Sequence, residues 1–105
     1  MTPDDMRELN KTIDRARIND VSVYPRNDGV PYLNSPKNFD SGHMTRSAPS
    51  QTLNTIGGYQ EYTVKTPGIG NRAGRRVVIN REAKTAYYSH DHYHSFIDIS
   101  KWVFK

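Results

Sequence analysis

Tyr59-Gln60-Glu61-Tyr62-Thr63-Val64-Lys65 is a run of β-favouring residues, and its reading decides the fold. Successive side chains on a strand point to opposite faces, so Tyr62 and Val64 share one face and Glu61 and Thr63 the other. Glu61 is thereby directed away from the core. Three more short runs follow, Arg75 to Ile79, Thr85 to Ser89 and Ser95 to Ser100. Thr66-Pro67-Gly68-Ile69-Gly70 and Asn80-Arg81-Glu82-Ala83-Lys84 punctuate them, which reads as an antiparallel meander.

Upstream, residues 34–58 are dominated by Ser, Asn, Thr, Pro and Gly and read as one long surface loop. Val30 to Leu33 is extended and Pro25-Arg26-Asn27-Asp28-Gly29 is a strong turn cluster. Val21-Ser22-Val23-Tyr24 before it also reads as extended. The start carries explicit helix signals. Thr2 is an N-cap, Pro3 takes the first helical position, Asp4 and Asp5 suit the dipole, and Thr2-x-x-Asp5 approximates a capping box. Met6, Leu9, Ile13 and Ala16 then form one apolar stripe, and the helix fades near Arg17. The expected fold is α+β: one N-terminal helix within residues 1–20, packed on a sheet of four or five antiparallel strands, most of it within 59–100.

A chain of 105 residues fits a single domain. With 34% hydrophobic residues and a mean hydropathy of −0.85, its core is small, and seven Tyr, three Phe and one Trp supply much of the buriable area. No run approaches the roughly 18 apolar residues of a membrane span, and the acidic start is unlike a secretory signal, so no membrane role is expected. Cysteine is absent, which removes disulfides, thiolate metal sites and thiol nucleophiles. The net charge is +4 and is unevenly placed: residues 1–58 hold seven basic and seven acidic side chains, residues 59–105 eight and four. A basic second half suits a polyanion, although it also serves solubility.

Arg72 and Arg76 share parity, so a strand continuing through Gly74 projects both guanidinium groups from one face, where hairpin pairing brings them beside Glu61. His90-Asp91-His92-Tyr93-His94 is the most unusual local string. Alternating histidines on a strand are one metal-binding pattern, but no Cys ligand or HExxH helix accompanies them, and no metal is expected. The other reading makes one His a general acid across a small cleft from Glu61. Carboxylate, imidazole and guanidinium on one sheet face are what RNA cleavage through its own 2′-hydroxyl requires, without cofactor. Glu61 is the expected base, kept ionised by Arg72 and Arg76; His92 is the expected acid; the arginines hold the phosphorane charge.

At these residues the chain resembles the microbial guanyl-specific ribonuclease family, the group that includes barnase, and most closely its short bacterial extracellular branch. The resemblance is carried by Glu61-Tyr62-Thr63-Val64 with Thr66-Pro67-Gly68, by Arg72-Ala73-Gly74-Arg75-Arg76-Val77-Val78, and by Tyr87-Tyr88-Ser89-His90-Asp91-His92-Tyr93-His94-Ser95-Phe96. Asp28-Gly29-Val30-x-Tyr32-x-Asn34 is a weaker match upstream. The resemblance implies an endoribonuclease that forms a 2′,3′-cyclic phosphate and hydrolyses it to a 3′-phosphate. It places the base at Glu61, the acid at His92, the phosphate binders at Arg72 and Arg76, and Tyr93 along the scissile phosphate. Tyr32 and Asn34 fall in the family's base-binding segment, where Pro36 stands at the position of the guanine-reading Glu, and Asp40 is the candidate substitute. Such a lost acceptor removes ~1–3 kcal/mol of discrimination and puts guanine preference in question.

His90 and His94 are expected to tune charge or contact flanking phosphates, and His43 to be an exposed loop residue. Implied partners are single-stranded RNA and an acidic inhibitor or immunity protein. The chain is expected to be a monomer, secreted or delivered into a target cell as a toxin domain. The opposing class is a non-catalytic RNA-binding module on the same sheet.

Overall fold

A computed structural model describes residues 1–32 and 58–105. Helix α1 spans Pro3–Arg17. Its capping box is closed: Thr2 Oγ1 accepts the Asp5 N–H at 3.1 Å while the Thr2 N–H donates to Asp5 Oδ2 at 3.0 Å. These bonds, led by the one from the Thr2 backbone, hold the Asp5 carboxyl below its ordinary value. At the other end the chain turns away through Asn19, which is left-handed at φ 54°.

Five strands follow: β1 Val30–Tyr32, β2 Tyr59–Thr63, β3 Arg76–Asn80, β4 Thr85–Ser89 and β5 Ile97–Asp98. They lie in that order in one antiparallel sheet, and a short helix α2, Ser100–Val103, closes the chain. The α+β reading holds, with corrections at element edges. Val21 to Tyr24 is not extended: Asp20 Oδ1 accepts both the Ser22 N–H at 2.9 Å and the Ser22 hydroxyl at 2.7 Å, and this local capture bends the chain. The last strand is shorter than Ser95 to Ser100. Asp91 takes the Ser95 N–H, while Asp98 Oδ1 accepts the Ser100 N–H at 2.9 Å and turns the chain into α2. Strand β3 does not extend through Gly74, because Ala73 is left-handed at φ 50°.

The sheet has two apolar faces. Toward α1 lie Tyr62, Val64, Val77, Ile79, Ala86 and Tyr88, packed on Leu9, Ile13 and Ala16, with Trp102 and Phe104 at the margin. The opposite face carries Tyr32, Tyr59, Val78 and Tyr93, with Tyr87 and Phe96 against them.

Three arginines lock α1 to the sheet. Arg75 donates to Tyr88 Oη at 2.7 Å, Lys65 O at 2.9 Å and Asp5 O at 2.8 Å. Arg81 binds Ala16 O, Gln60 Oε1 and Tyr62 Oη. Arg15 donates to Thr63 O at 2.9 Å, and its guanidinium stands 3.8 Å from the buried Asp28 carboxylate. These bonds meet the guanidinium donors with backbone carbonyls on both sides of the interface.

Ile13 is 2% exposed at the centre of this interface. Ile13→Ala is expected to lose ~2–5 kcal/mol of stability, read as a lowered urea midpoint at unchanged slope. Asp14→Ala, on the solvent side of the same turn, is expected to move it by less than ~0.5 kcal/mol.

Candidate functional site

The β2–β3 register sets the site. Thr63 pairs with Arg76 and Glu61 with Val78, so Glu61, Thr63 and Arg76 project from the face opposite α1. In β4, Ser89 pairs with Arg76 and extends the same row.

Thr63 is fully buried and bonded through every polar atom. Its N–H donates to Asp28 Oδ1 at 2.8 Å, its carbonyl accepts from Arg15, and its hydroxyl accepts Arg72 Nε at 3.1 Å and Nη2 at 2.9 Å. Arg72 lies in the loop before β3, so this two-pronged contact replaces strand parity as the device that brings it to the site. Asp28 reaches Thr63 because Gly29, at φ +81°, lets the turn lie flat on β2. The Gly29 N–H donates to Glu61 O at 2.8 Å, and an added Cβ would come within 2.8 Å of Val21 and 2.9 Å of Asn19.

Arg76 is 3% exposed. Its Nη1 donates to Arg75 O at 2.8 Å and Ala73 O at 3.0 Å, while its Nε is buried without a hydrogen-bond partner among the described residues. Burial, then the neighbouring Arg72 charge, pulls Arg76 below the ordinary arginine value, and a guanidinium remains charged at neutral pH all the same.

Glu61 is partly buried among these groups, and its surroundings pull its carboxyl in both directions. Burial pushes its carboxyl above the ordinary value; Arg76, Tyr93 and Arg72 pull the other way in that order without cancelling it, and Asp28 adds to the rise. A carboxylate raised this way is a stronger base than a free glutamate. Tyr93 acts on Glu61 through a hydroxyl that lies nearby and buried but closes no hydrogen bond among the described residues.

His92 and Tyr93 are adjacent left-handed residues, at φ 57° and 76°, so residues 90–94 form a turn and not the strand that alternating ligands would need. Two such residues are costly for L side chains, by ~1–2 kcal/mol each, and a local network holds them. The Ser89 hydroxyl donates to Asp91 Oδ1 at 2.9 Å and accepts the Tyr93 N–H at 2.8 Å; Asp91 Oδ1 also accepts the His94 N–H at 3.1 Å and the Ser95 N–H at 2.9 Å. The His92 N–H donates to Gly74 O at 2.9 Å, tying the imidazole's backbone to the loop between Arg72 and Arg76. Its ring is solvent-exposed, 5.0 Å from the Tyr93 ring.

The arrangement therefore gathers Glu61, Arg72, Arg76 and Tyr93, with His92 at the rim beside Tyr93. Tyr32 is 7% exposed, with its ring 4.7 Å from that of Tyr93. Asn34 and Asp40, with Pro36 and His43, lie outside the described residues. Among the described residues no group of three His, Asp or Glu side chains is placed to hold a metal ion. Sequence reasoning missed Asp28, whose Asp-Gly pair reads as turn chemistry, and the role of Thr63, whose only signal was its parity with Glu61.

The sequence profile of the ribonuclease family matches residues 7–100. Over 42 residues the chain is 45% identical to guanyl-specific ribonuclease Sa3 of Kitasatospora aureofaciens, a match covering 40% of this chain and 30% of that protein. Guanyl-specific ribonuclease Sa of the same organism is 45% identical over 42 residues, 40% of this chain and 44% of its own. Both matches span less than half of the curated relative. A solved structure of ribonuclease Sa2, described in complexes with mononucleotides, superposes at a TM-score of 0.58 and 28% identity, covering 88% of this chain and 81% of that one.

Thr63→Val keeps the shape of a fully buried residue and removes the acceptor that aims Arg72. The expected result is about tenfold weaker binding of inorganic phosphate, ~1.4 kcal/mol, by isothermal calorimetry, with the far-ultraviolet circular dichroism unchanged.

Proposed function

We propose, from the premise that this chain belongs to the microbial guanyl-specific ribonuclease family, that it is an endoribonuclease acting on single-stranded RNA by metal-independent transesterification. The observation that carries the reading is the grouping of one partly buried carboxylate, Glu61, with Arg72 and Arg76 on the sheet face whose rim carries His92.

In the first step Glu61 takes the proton of the 2′-hydroxyl, and the 2′-oxygen attacks the adjacent phosphorus in line. His92, as imidazolium, protonates the departing 5′-oxygen, leaving a 2′,3′-cyclic phosphate. In the second step the roles exchange: His92 activates water, Glu61 returns its proton to the 2′-oxygen, and a 3′-phosphate forms. Arg72 and Arg76 hold the non-bridging oxygens while charge builds on phosphorus, and the Tyr93 hydroxyl lines the same phosphate. DNA lacks the attacking hydroxyl and is not a substrate for this route.

Guanine preference belongs to the segment containing Asn34, Pro36 and Asp40, and with Pro36 at the reading position we expect it to be relaxed. The reading extends to a protein that acts outside the cell producing it, by secretion or as a delivered toxin domain, because unrestrained RNA cleavage harms its own cytoplasm. An acidic inhibitor docking over Arg72, Arg76 and His92 fits the positive charge of the second half of the chain.

Glu61→Gln and His92→Gln are each expected to lower the cleavage rate of a labelled oligoribonucleotide by 10²–10⁴-fold, with parent activity indifferent to chelator. Full rates in either variant, or uncut RNA that is merely retained, would reject the assignment in favour of a binding module.

The pH profile of kcat/KM is expected to be bell-shaped. Because the Glu61 pKa is raised, its base form is lost on acidification at a higher pH than for a free glutamate, and the alkaline limb follows loss of the His92 proton. Stopped-time assays from pH 3 to 10 check both limbs.

A further inference from the structure

Strand β1 pairs Val30 with Glu61 and Tyr32 with Tyr59, so Tyr32 and Glu61 sit on one face as diagonal neighbours of adjacent strands. That separation is within reach of an aromatic side chain. The Tyr32 ring is fixed by its neighbours, 4.7 Å from the Tyr93 ring and 6.3 Å from that of Phe96. Its hydroxyl oxygen is buried and has no hydrogen-bond partner among the described residues, as is true of the Tyr93 hydroxyl and Arg76 Nε.

A phenylalanine would fill the same aromatic cluster without stranding a polar atom. Three unpartnered donors, each on a side chain more than nine-tenths buried, therefore converge on the surroundings of one carboxylate. Burial, then the nearby Glu61 charge, pushes the Tyr32 hydroxyl up to about 12, so it keeps its proton across the working range.

We propose that the Tyr32 hydroxyl is a positioning group for Glu61, donating with Tyr93 to the carboxylate once substrate draws it into line. This rests on the nuclease reading above. It differs from a base-stacking role, which needs the ring and not the hydroxyl. Hydrogen bonds in catalytic sites are commonly long before substrate enters and tighten in the complex. The groups acting on Glu61 are then Arg72 and Arg76 from β3 and the loop before it, Asp28 from the turn before β1, Tyr93 from the β4–β5 loop and Tyr32 from β1. Among the described residues acting on Glu61, Tyr32 and Tyr93 are the ones that offer neutral donors.

The test is Tyr32→Phe, which keeps the ring. The expected result is an acid limb of kcat displaced upward by roughly 0.5–1 pH unit, a three- to tenfold fall in kcat below that limb, and KM and the thermal unfolding midpoint close to the parent's. Tyr32→Leu, which removes the ring as well, should also lower the unfolding midpoint. A cleaving parent whose kcat profile superimposes on that of Tyr32→Phe, or a variant changed in KM alone, overturns this inference and leaves the nuclease reading standing. A parent that leaves RNA intact overturns both.

Discussion

Pairing Thr63 with Arg76 in the β2–β3 ladder places a guanidinium and, two residues along β2, a carboxylate on one surface, and slipping that register by one residue would send both to opposite faces. The register is protected from both sides. On the α1 side a slip would expose Tyr62 and Val77, each fully buried. On the other side it would break the bonds from Asp28, Arg15 and Arg72 that meet at Thr63. One residue therefore joins helix, turn, strand and Arg72, and fold stability and the geometry of the candidate site depend on the same contacts.

The sheet spends its charged residues differently on its two faces. Toward α1, Arg75 and Arg81 donate to carbonyls and tyrosine hydroxyls and serve as cross-links. On the opposite face Arg76 keeps its Nε unbonded among the described residues, and two tyrosine hydroxyls close no bond there. Leaving buried donors unmet opposes folding by ~1–3 kcal/mol each, and sites built to meet an anionic transition state hold such groups ready. Glu61 follows the same logic: its burial outweighs the pull of two cations, so the carboxylate is neither quenched by its neighbours nor left as weak a base as in water.

Much of this was legible in the residues. The Thr2–Asp5 capping box, the Leu9, Ile13 and Ala16 stripe and the alternation around Glu61 are local signals, and they placed α1 and β2 because nothing tertiary overrides them. The bend after Asp20 and the short β5 were misread because side chains of Asp20, Asp91 and Asp98 capture nearby N–H groups, a competition that residue preference does not register. Parity places Arg72 at the site only along a strand that reaches it, and β3 begins at Arg76; Arg72 arrives there through the Thr63 hydroxyl, a contact between residues nine apart. The rise of Glu61 was not legible at all. Burial is a property of the assembled sheet, whereas the arginines that oppose it are visible in the string.

The account turns on burial, more than the flanking guanidinium groups, setting the proton affinity of Glu61. Carboxyl carbon-13 chemical shifts followed from pH 2 to 8 in the free protein measure this without reference to activity. The account predicts a Glu61 midpoint above the ordinary glutamate value of 4.5. A midpoint at or below it would mean that Arg72 and Arg76 govern the carboxylate, and would contradict the account.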